Sequence, residues 1–219
     1  MKISDSGILE IAEHEGIVLG PYRDSVGVWT VGVGHTAAAG GLNPAQMQRG
    51  MPADVSAAVL VLLGLFDEDL DKYEARVNSA IKVPLKQHQF DALVSFDFNT
   101  GGIYRAKLTE AINRGDMRGD GFMGWLKPKE IIRRRKAEQA LFRTGDYDAN
   151  GDNIPIWRVD ESGNLRGILK TISGAEMRRL MASAGSSRPT STAPPATETP
   201  ASPWWASIIA AISRIWKGK

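Results

Sequence analysis

Apolar and polar positions change period several times along this 219-residue chain. In "ISDSGILEIAEHEG" the residues Ile8, Leu9, Ile11 and Ala12 recur at helical spacing, which predicts a first helix. Ser4, Asp5 or Ser6 would cap it, and Gly16 would stop it. From Val18 to His35 the period shortens. "PYRDSVGVWTVGVGH" is rich in β-branched and aromatic residues around the turn chemistry "DSVG", which predicts a small hairpin. Trp29, Val31 and Val33 would share one face of its second strand, with Thr30 on the other. "TAAAGGLNPAQMQRGMP" reads as loop, with room for a short strand or helical turn.

Helical period returns at Ala53, where Val55, Val59, Leu62, Phe66, Leu70, Tyr73 and Val77 recur at steps of three and four. From Phe90 to Phe98 the chain is apolar nearly all round, the mark of a central buried helix. "YRAKLTEAINRGD" predicts a short helix stopped by Gly115, and "KPKEIIRRRKAEQALFRTGDY" a long basic amphipathic helix ending at Gly145. "SGAEMRRLMASAG" predicts a last helix that closes the domain near Ala184.

The pattern then breaks. Residues 185–203 are Ser, Thr, Pro and Ala with almost no core formers, the composition of a semi-extended linker. Residues 204–219, "WWASIIAAISRIWKGK", bring Trp204, Trp205, Ile208, Ile209, Ile212, Ile215 and Trp216 onto one helical face beside Arg214, Lys217 and Lys219. That segment is too short to span a bilayer, and its Trp-rich face and cationic end describe an interfacial helix. An apolar helical stripe also suits packing on the chain's own domain or on a partner. The chain therefore divides into a domain at 1–184, a linker and an amphipathic tail.

Composition narrows the classes. A hydrophobic content of 42% is enough for one well-packed domain. No cysteine is present, which excludes a disulfide framework and Cys-based metal sites. The formal net charge is +2 and the pI about 8.9, too weak a bias to argue for nucleic acid. "MKISDSGILEIAEHEG" lacks an apolar core of signal-peptide length, so the expected location before release is the cytoplasm.

Candidate chemistry sits at the first helix and the hairpin. Glu15 would end the helix, where the macrodipole disfavours an anion. A glutamate packed against apolar neighbours, facing an aspartate across a cleft, is a glycosidase arrangement. Partial burial favours a retained proton on the acid, and a solvated turn favours an ionised Asp24. A hydroxyl at Thr30 would help hold a water beside Asp24.

The spacing Glu-x8-Asp-x5-Thr followed by "VGVGHT" resembles the phage-type lysozymes of glycoside hydrolase family 24. "ALVSFDFNTG" resembles that family's central-helix motif, and "RRRKAEQALFRTGDYD" its late helix and following turn. The likeness runs from about Ile3 to Ala184. It implies an α+β, lysozyme-like fold, with a small β-hairpin lobe and a larger helical lobe flanking a cleft. It also implies a muramidase that cuts the β-1,4 bond between N-acetylmuramic acid and N-acetylglucosamine. Glu15 would be the general acid, and Asp24 with Thr30 would position and activate water. The reaction would invert, with the carboxyls roughly 6.5–9.5 Å apart. Phe98, Asn99 and Gly101 match positions that line the cleft, with Phe98 equally readable as core. Arg134 matches an arginine that pairs with the catalytic glutamate, lowering its pKa while desolvation raises it. For Arg133 and Arg135 a solvated face is the simpler reading. His35 reads as structural, bonded to a carboxylate or carbonyl. "WLKPKEII" departs from the Pro-Gly-Leu turn of many relatives.

The resemblance implies no cofactor, with peptidoglycan glycan strands as partner, anionic membrane contact through the tail, no nucleic acid and a monomer. As an endolysin it would wait in the host cytoplasm and reach the wall after the membrane is permeabilised. The rival reading is a muramidase-like domain repurposed as a peptidoglycan-binding localisation scaffold. "DYDANGDN" (Asp146–Asn153) has the alternating acids of a calcium loop. Position twelve is Trp157 where an EF-hand needs Glu, so a tight polar turn is preferred and no metal is expected.

Overall fold

The computed structural model describes residues 1–149 and 151–183. The expected linker at 185–203 and the tail with Trp204, Trp205, Ile208, Ile209, Ile212 and Trp216 lie outside the described residues. The chain forms two compact units: Met1–His14 with Glu68–Asp152, and Glu15–Asp67 with the chain from Asn153 onward.

The first unit is helical. It holds the body of α1 (Asp5–Glu15), the second half of α2 (Val55–Ala80), and α3 (Gln87–Thr100), α4 (Lys107–Asn113) and α5 (Ile132–Thr144). Ser4 caps α1, its Oγ accepting from the Gly7 amide at 3.0 Å. The all-round apolar stretch is indeed a buried helix, α3, with Phe90, Leu93, Val94 and Phe96 inaccessible. Phe96 meets Phe122 and Trp125 edge-on at 5.5 and 5.4 Å, the geometry that ring quadrupoles favour. Gly101 ends α3 at φ 57 and Gly145 ends α5 at φ 79, both left-handed caps that suit glycine.

The second unit is built on a five-stranded sheet in the order β3-β2-β1-β4-β5. Its strands are β1 (Ile17–Arg23), β2 (Trp29–Gly32), β3 (His35–Thr36), β4 (Asn153–Val159) and β5 (Leu165–Ser173). The expected hairpin is β1–β2, registered Tyr22↔Thr30 and Arg23↔Trp29. The segment after it folds as two short 3-10 turns, one capped by Asn43. Thr30 and Val31 are both buried, so β2 is covered on both faces rather than one.

The second hairpin, β4–β5, is absent from the periodicity reading. β4 runs parallel to β1 through Ile17↔Ile156 and Val18↔Trp157. Its sequence signal lies in the alternation of Ile154 and Ile156, which breaks before Val159 where the ladder is irregular, and in the turn "DESGN". The small hairpin lobe is therefore a mixed sheet drawing strands from both ends of the described chain. α6 (Gly174–Ser183) follows, burying Met177 and Met181. Among the described residues no helix is long and apolar enough to cross a membrane.

Candidate active site

Glu15, Asp24 and Thr30 all fall in the second unit. Glu15 is the last residue of α1, and Gly16 at φ 74 turns the chain into β1. The buried stretch of α1 runs from Gly7 to Glu13 and stops short of Glu15. The Glu15 side chain is consequently exposed, which corrects the expectation of a glutamate packed among apolar neighbours.

The β1–β2 turn fixes Asp24. Its Oδ1 accepts from the amides of Val26 and Val28 at 3.0 and 2.8 Å. Its own amide donates to the Val28 carbonyl at 3.0 Å, and Gly27 at φ 83 closes the turn by donating to the Asp24 carbonyl. Oδ2 takes no part in this turn. Thr30 is 3% exposed, and its Oγ1 donates to the Val28 carbonyl at 3.2 Å. With its proton committed, that hydroxyl faces other groups as an acceptor, the role that orienting a water requires. Between these parts lies Tyr22. Its phenol is pushed up chiefly by burial and then by the negative charges of Asp24 and Glu15. Tyr22 pairs with Thr30 across the β1–β2 ladder, so the hairpin itself is the centre around which Asp24 and Thr30 are set.

The second hairpin braces this centre. The Arg23 amide donates to the Gly163 carbonyl at 3.2 Å, just before Asp24. The guanidinium groups of Arg23 and Arg49 lie 4.5 and 3.5 Å from the Trp29 ring centroid, both in cation–π contact. His35 is buried with Nε2 2.7 Å from the Leu42 carbonyl, the structural role expected of it.

The remaining candidates lie in the helical unit. Phe98 is half-buried and meets Tyr73 edge-on at 5.2 Å. Asn99 is exposed, and its Oδ1 accepts from Arg135 Nη2, which leaves its amide nitrogen as the donor. A Cβ on Gly101 would meet nothing within 4 Å, so the need for glycine there comes from the helix cap rather than from a close approach. Arg134 is 6% exposed, and its Nε donates to Glu138 Oε1 at 3.0 Å. Arg135 is fully buried and also pairs with Glu138, which corrects the reading of Arg135 as a solvated residue; Arg133 is exposed as expected. Glu138 accepts from Ser95 Oγ at 2.8 Å as well. Burial pushes its carboxyl up, and the two guanidinium groups oppose that.

Two titratable groups of α1 escaped the sequence reading. Glu10 is 1% exposed, neither oxygen makes a hydrogen bond of normal geometry, and its pKa is raised to about 8. Burial is the main cause, followed by the charge of Glu13 and those of Asp146 and Asp148. His14 is held down to about 3 by burial and then by Arg134, Arg135 and Arg133. Glycine and glutamate spacing carries no sign of either. Among the described residues no group of three or more Asp, Glu, His or Cys side chains is arranged to hold a metal.

Known proteins share this architecture. The sequence profile of the family described as phage lysozyme matches residues 12–138. The endolysin of Salmonella phage P22 is 35% identical over 150 residues, covering 65% of this chain and 98% of that protein. The endolysin of Acyrthosiphon pisum secondary endosymbiont phage 1 is 34% identical over 157 residues, covering 66% of this chain and 99% of its own. Among solved structures, a mutant lysozyme of P22 aligns with a TM-score of 0.57 at 33% identity, covering 65% of this chain and 98% of that one. The muramidase domain of SpmX from Asticaccaulis excentricus aligns with a TM-score of 0.55 at 27% identity, covering 65% and 98%.

Proposed function

The chain belongs to the phage lysozyme family, and from that premise we propose that Glu15, Asp24 and Thr30 carry its chemistry. It is a glycoside hydrolase, a lysozyme that degrades peptidoglycan. In the proposed reaction the Glu15 carboxylic acid gives its proton to the oxygen of the β-1,4 bond between N-acetylmuramic acid and N-acetylglucosamine. Asp24 takes a proton from a water that attacks the anomeric carbon from the opposite face, with Thr30 Oγ1 orienting that water. Configuration at the anomeric carbon inverts. The observation that supports this most directly is the β1–β2 turn, which fixes Asp24 through Oδ1 while Oδ2 stays out of the turn's hydrogen bonds, with the Thr30 hydroxyl held on the Val28 carbonyl of the same turn.

Phe98 and Asn99 would contact the glycan, Asn99 through its amide nitrogen. Gly101 would shape the adjoining backbone. Arg134 would orient the acid. The protein acts on the cell wall. Accumulation in the host cytoplasm as a monomer, release after membrane permeabilisation, and a membrane-seeking segment at 204–219 belong to the same proposal. So does the division into a domain at 1–184, a linker at 185–203 and that tail.

The test is clearing of purified peptidoglycan by wild type and Glu15→Gln, with product anomers followed by NMR. Wild type should clear the wall, yield the inverted anomer first, and lose about two or more orders of magnitude in the variant. If neither protein clears the wall while both are folded, the enzymatic reading gives way to a localisation scaffold that only binds glycan.

A further inference from the structure

Gly16 joins the proposed acid, Glu15, to β1, and it has no room for a side chain. A Cβ there would stand 2.6 Å from Trp157 Nε1 and 3.0 Å from the Pro155 carbonyl oxygen. Trp157 and Pro155 belong to β4, which pairs in parallel with β1 at Ile17↔Ile156 and Val18↔Trp157. The indole is therefore pressed against the residue that follows Glu15. The stretch matching the family profile ends at residue 138, and β4 begins at Asn153, so this brace lies outside the matched region.

The backbone at Gly16 is unusual on its own account. Its φ of 74 is open mainly to glycine, and helix α1 ends one residue before it. Gly16 is the joint through which the exposed Glu15 meets β1, so the backbone angles at Gly16 set where that side chain points. The Gly16 peptide has Trp157 on one side and is tied into β1 on the other.

We propose that Trp157 is a positioning residue for Glu15, acting through Gly16 to hold the acid at the glycosidic oxygen. This rests on the reading of Glu15 as the general acid. Proton transfer needs the donor within hydrogen-bond reach of its target, and a displacement of about 1 Å costs about a hundredfold in rate. Trp157 then contributes to turnover rather than to glycan affinity.

The experiment compares wild type, Trp157→Ala, Trp157→Phe, Met177→Ala and Glu15→Gln on solubilised peptidoglycan fragments, with circular dichroism and Tm for each. Met177, fully buried in α6, supplies a core-destabilised control. Trp157→Ala should lower kcat by roughly 30–100-fold with KM within about twofold, and should move the acid-dependent limb of the kcat–pH profile. Trp157→Phe, which keeps a ring against Gly16, should recover kcat to within about threefold of wild type. Met177→Ala should lose Tm without that loss of kcat. The proposal is overturned if kcat of Trp157→Ala matches the Met177→Ala control, if KM rises instead of kcat falling, or if the pH profile stays in place. Retained activity in Glu15→Gln would remove the reading of Glu15 itself, and this proposal with it, whatever Trp157→Ala shows.

Discussion

Asp24 and Asp160 close their two hairpins with the same set of hydrogen bonds. Each Oδ1 accepts from the amides two and four residues on, at 3.0 and 2.8 Å for Asp24 and 2.9 and 2.8 Å for Asp160. Each backbone amide donates to the carbonyl four residues on at 3.0 Å. The turn needs an acceptor and a small side chain, not a charge. The two aspartates differ in the second oxygen. Asp160 Oδ2 is held by Arg166 at 2.6 Å, whereas the Asp24 turn makes no use of Oδ2.

This twin gives the proposed catalytic aspartate a structural counterpart to be tested against. Asparagine keeps the accepting carbonyl, so Asp24→Asn should fold with Tm within about 2 °C of wild type. It should nonetheless lose about two to four orders of magnitude in peptidoglycan clearing. Asp160→Asn should keep full clearing and give up only a small part of Tm. Equal losses of activity in the two variants would deny Asp24 a chemical role.

Glu10 and His14 set opposite ends of the stability–pH profile. Folded Glu10 keeps its proton up to about pH 8, against an ordinary value near 4.5, so folding is penalised progressively as pH rises toward 8. Folded His14 stays neutral down to about pH 3, against an ordinary value near 6.5, so folding is penalised as pH falls below 6.5. Between the two ordinary values the folded and unfolded chains carry equal proton counts from this pair, one on Glu10 when folded and one on His14 when unfolded. Stability from the pair is therefore flat from about pH 4.5 to 6.5 and declines on both sides. Glu10→Gln leaves His14 alone, so stability from this pair should rise with pH up to about 6.5 and stay flat above it, recovering on the order of 2–4 kcal/mol at pH 8.5. Melting curves at half-unit steps from pH 3.5 to 9 check it, and a wild type whose Tm still climbs between pH 7 and 8.5 would refute it.

Arg135 is buried for charge balance. Replacing it with Met leaves Glu138 with one of its two guanidinium partners, Arg134. Removing one partner of a buried ion pair costs about 3 kcal/mol or more. Arg135→Met should therefore melt well below wild type, and Arg135→Met with Glu138→Leu should recover part of the loss, because both charges of the fully buried Arg135–Glu138 pair leave together while Arg134 keeps its bond to the Ser95 carbonyl. A double variant no more stable than the single one would show that packing, not charge, governs this site.

The segment 204–219 carries its own expectation. Truncation after residue 203 should leave Tm and clearing of purified peptidoglycan unchanged. It should abolish sedimentation with anionic liposomes, since the Trp-rich face and the cationic end would bind the interface together. Equal sedimentation of full-length and truncated protein would set the membrane role aside.

Much of the fold was legible one residue at a time. Gly16, Gly101, Gly115 and Gly145 stop helices at positive φ because local sterics demand it. The all-round apolar run of α3 and the step pattern of α2 needed no partner to be read as helices. Glu15, Asp24 and Thr30 were nominated by spacing, since a helix end, a turn and a strand are local events. Three things were decided only by tertiary structure. β4 pairs with β1 and β5 with β4, and the β1–β4 pairing closes a loop of more than a hundred residues that no window of sequence spans. Arg135 reads as a surface cation in an arginine run, yet it is buried, with Glu138 of its own helix and Asn99 of α3 converging on it. Glu10 reads as one more polar residue of α1, and its raised pKa comes chiefly from burial, which the packed chain imposes. Local sterics and periodicity act between neighbours in sequence, whereas burial and charge pairing depend on which distant groups arrive, and that is settled when the chain packs.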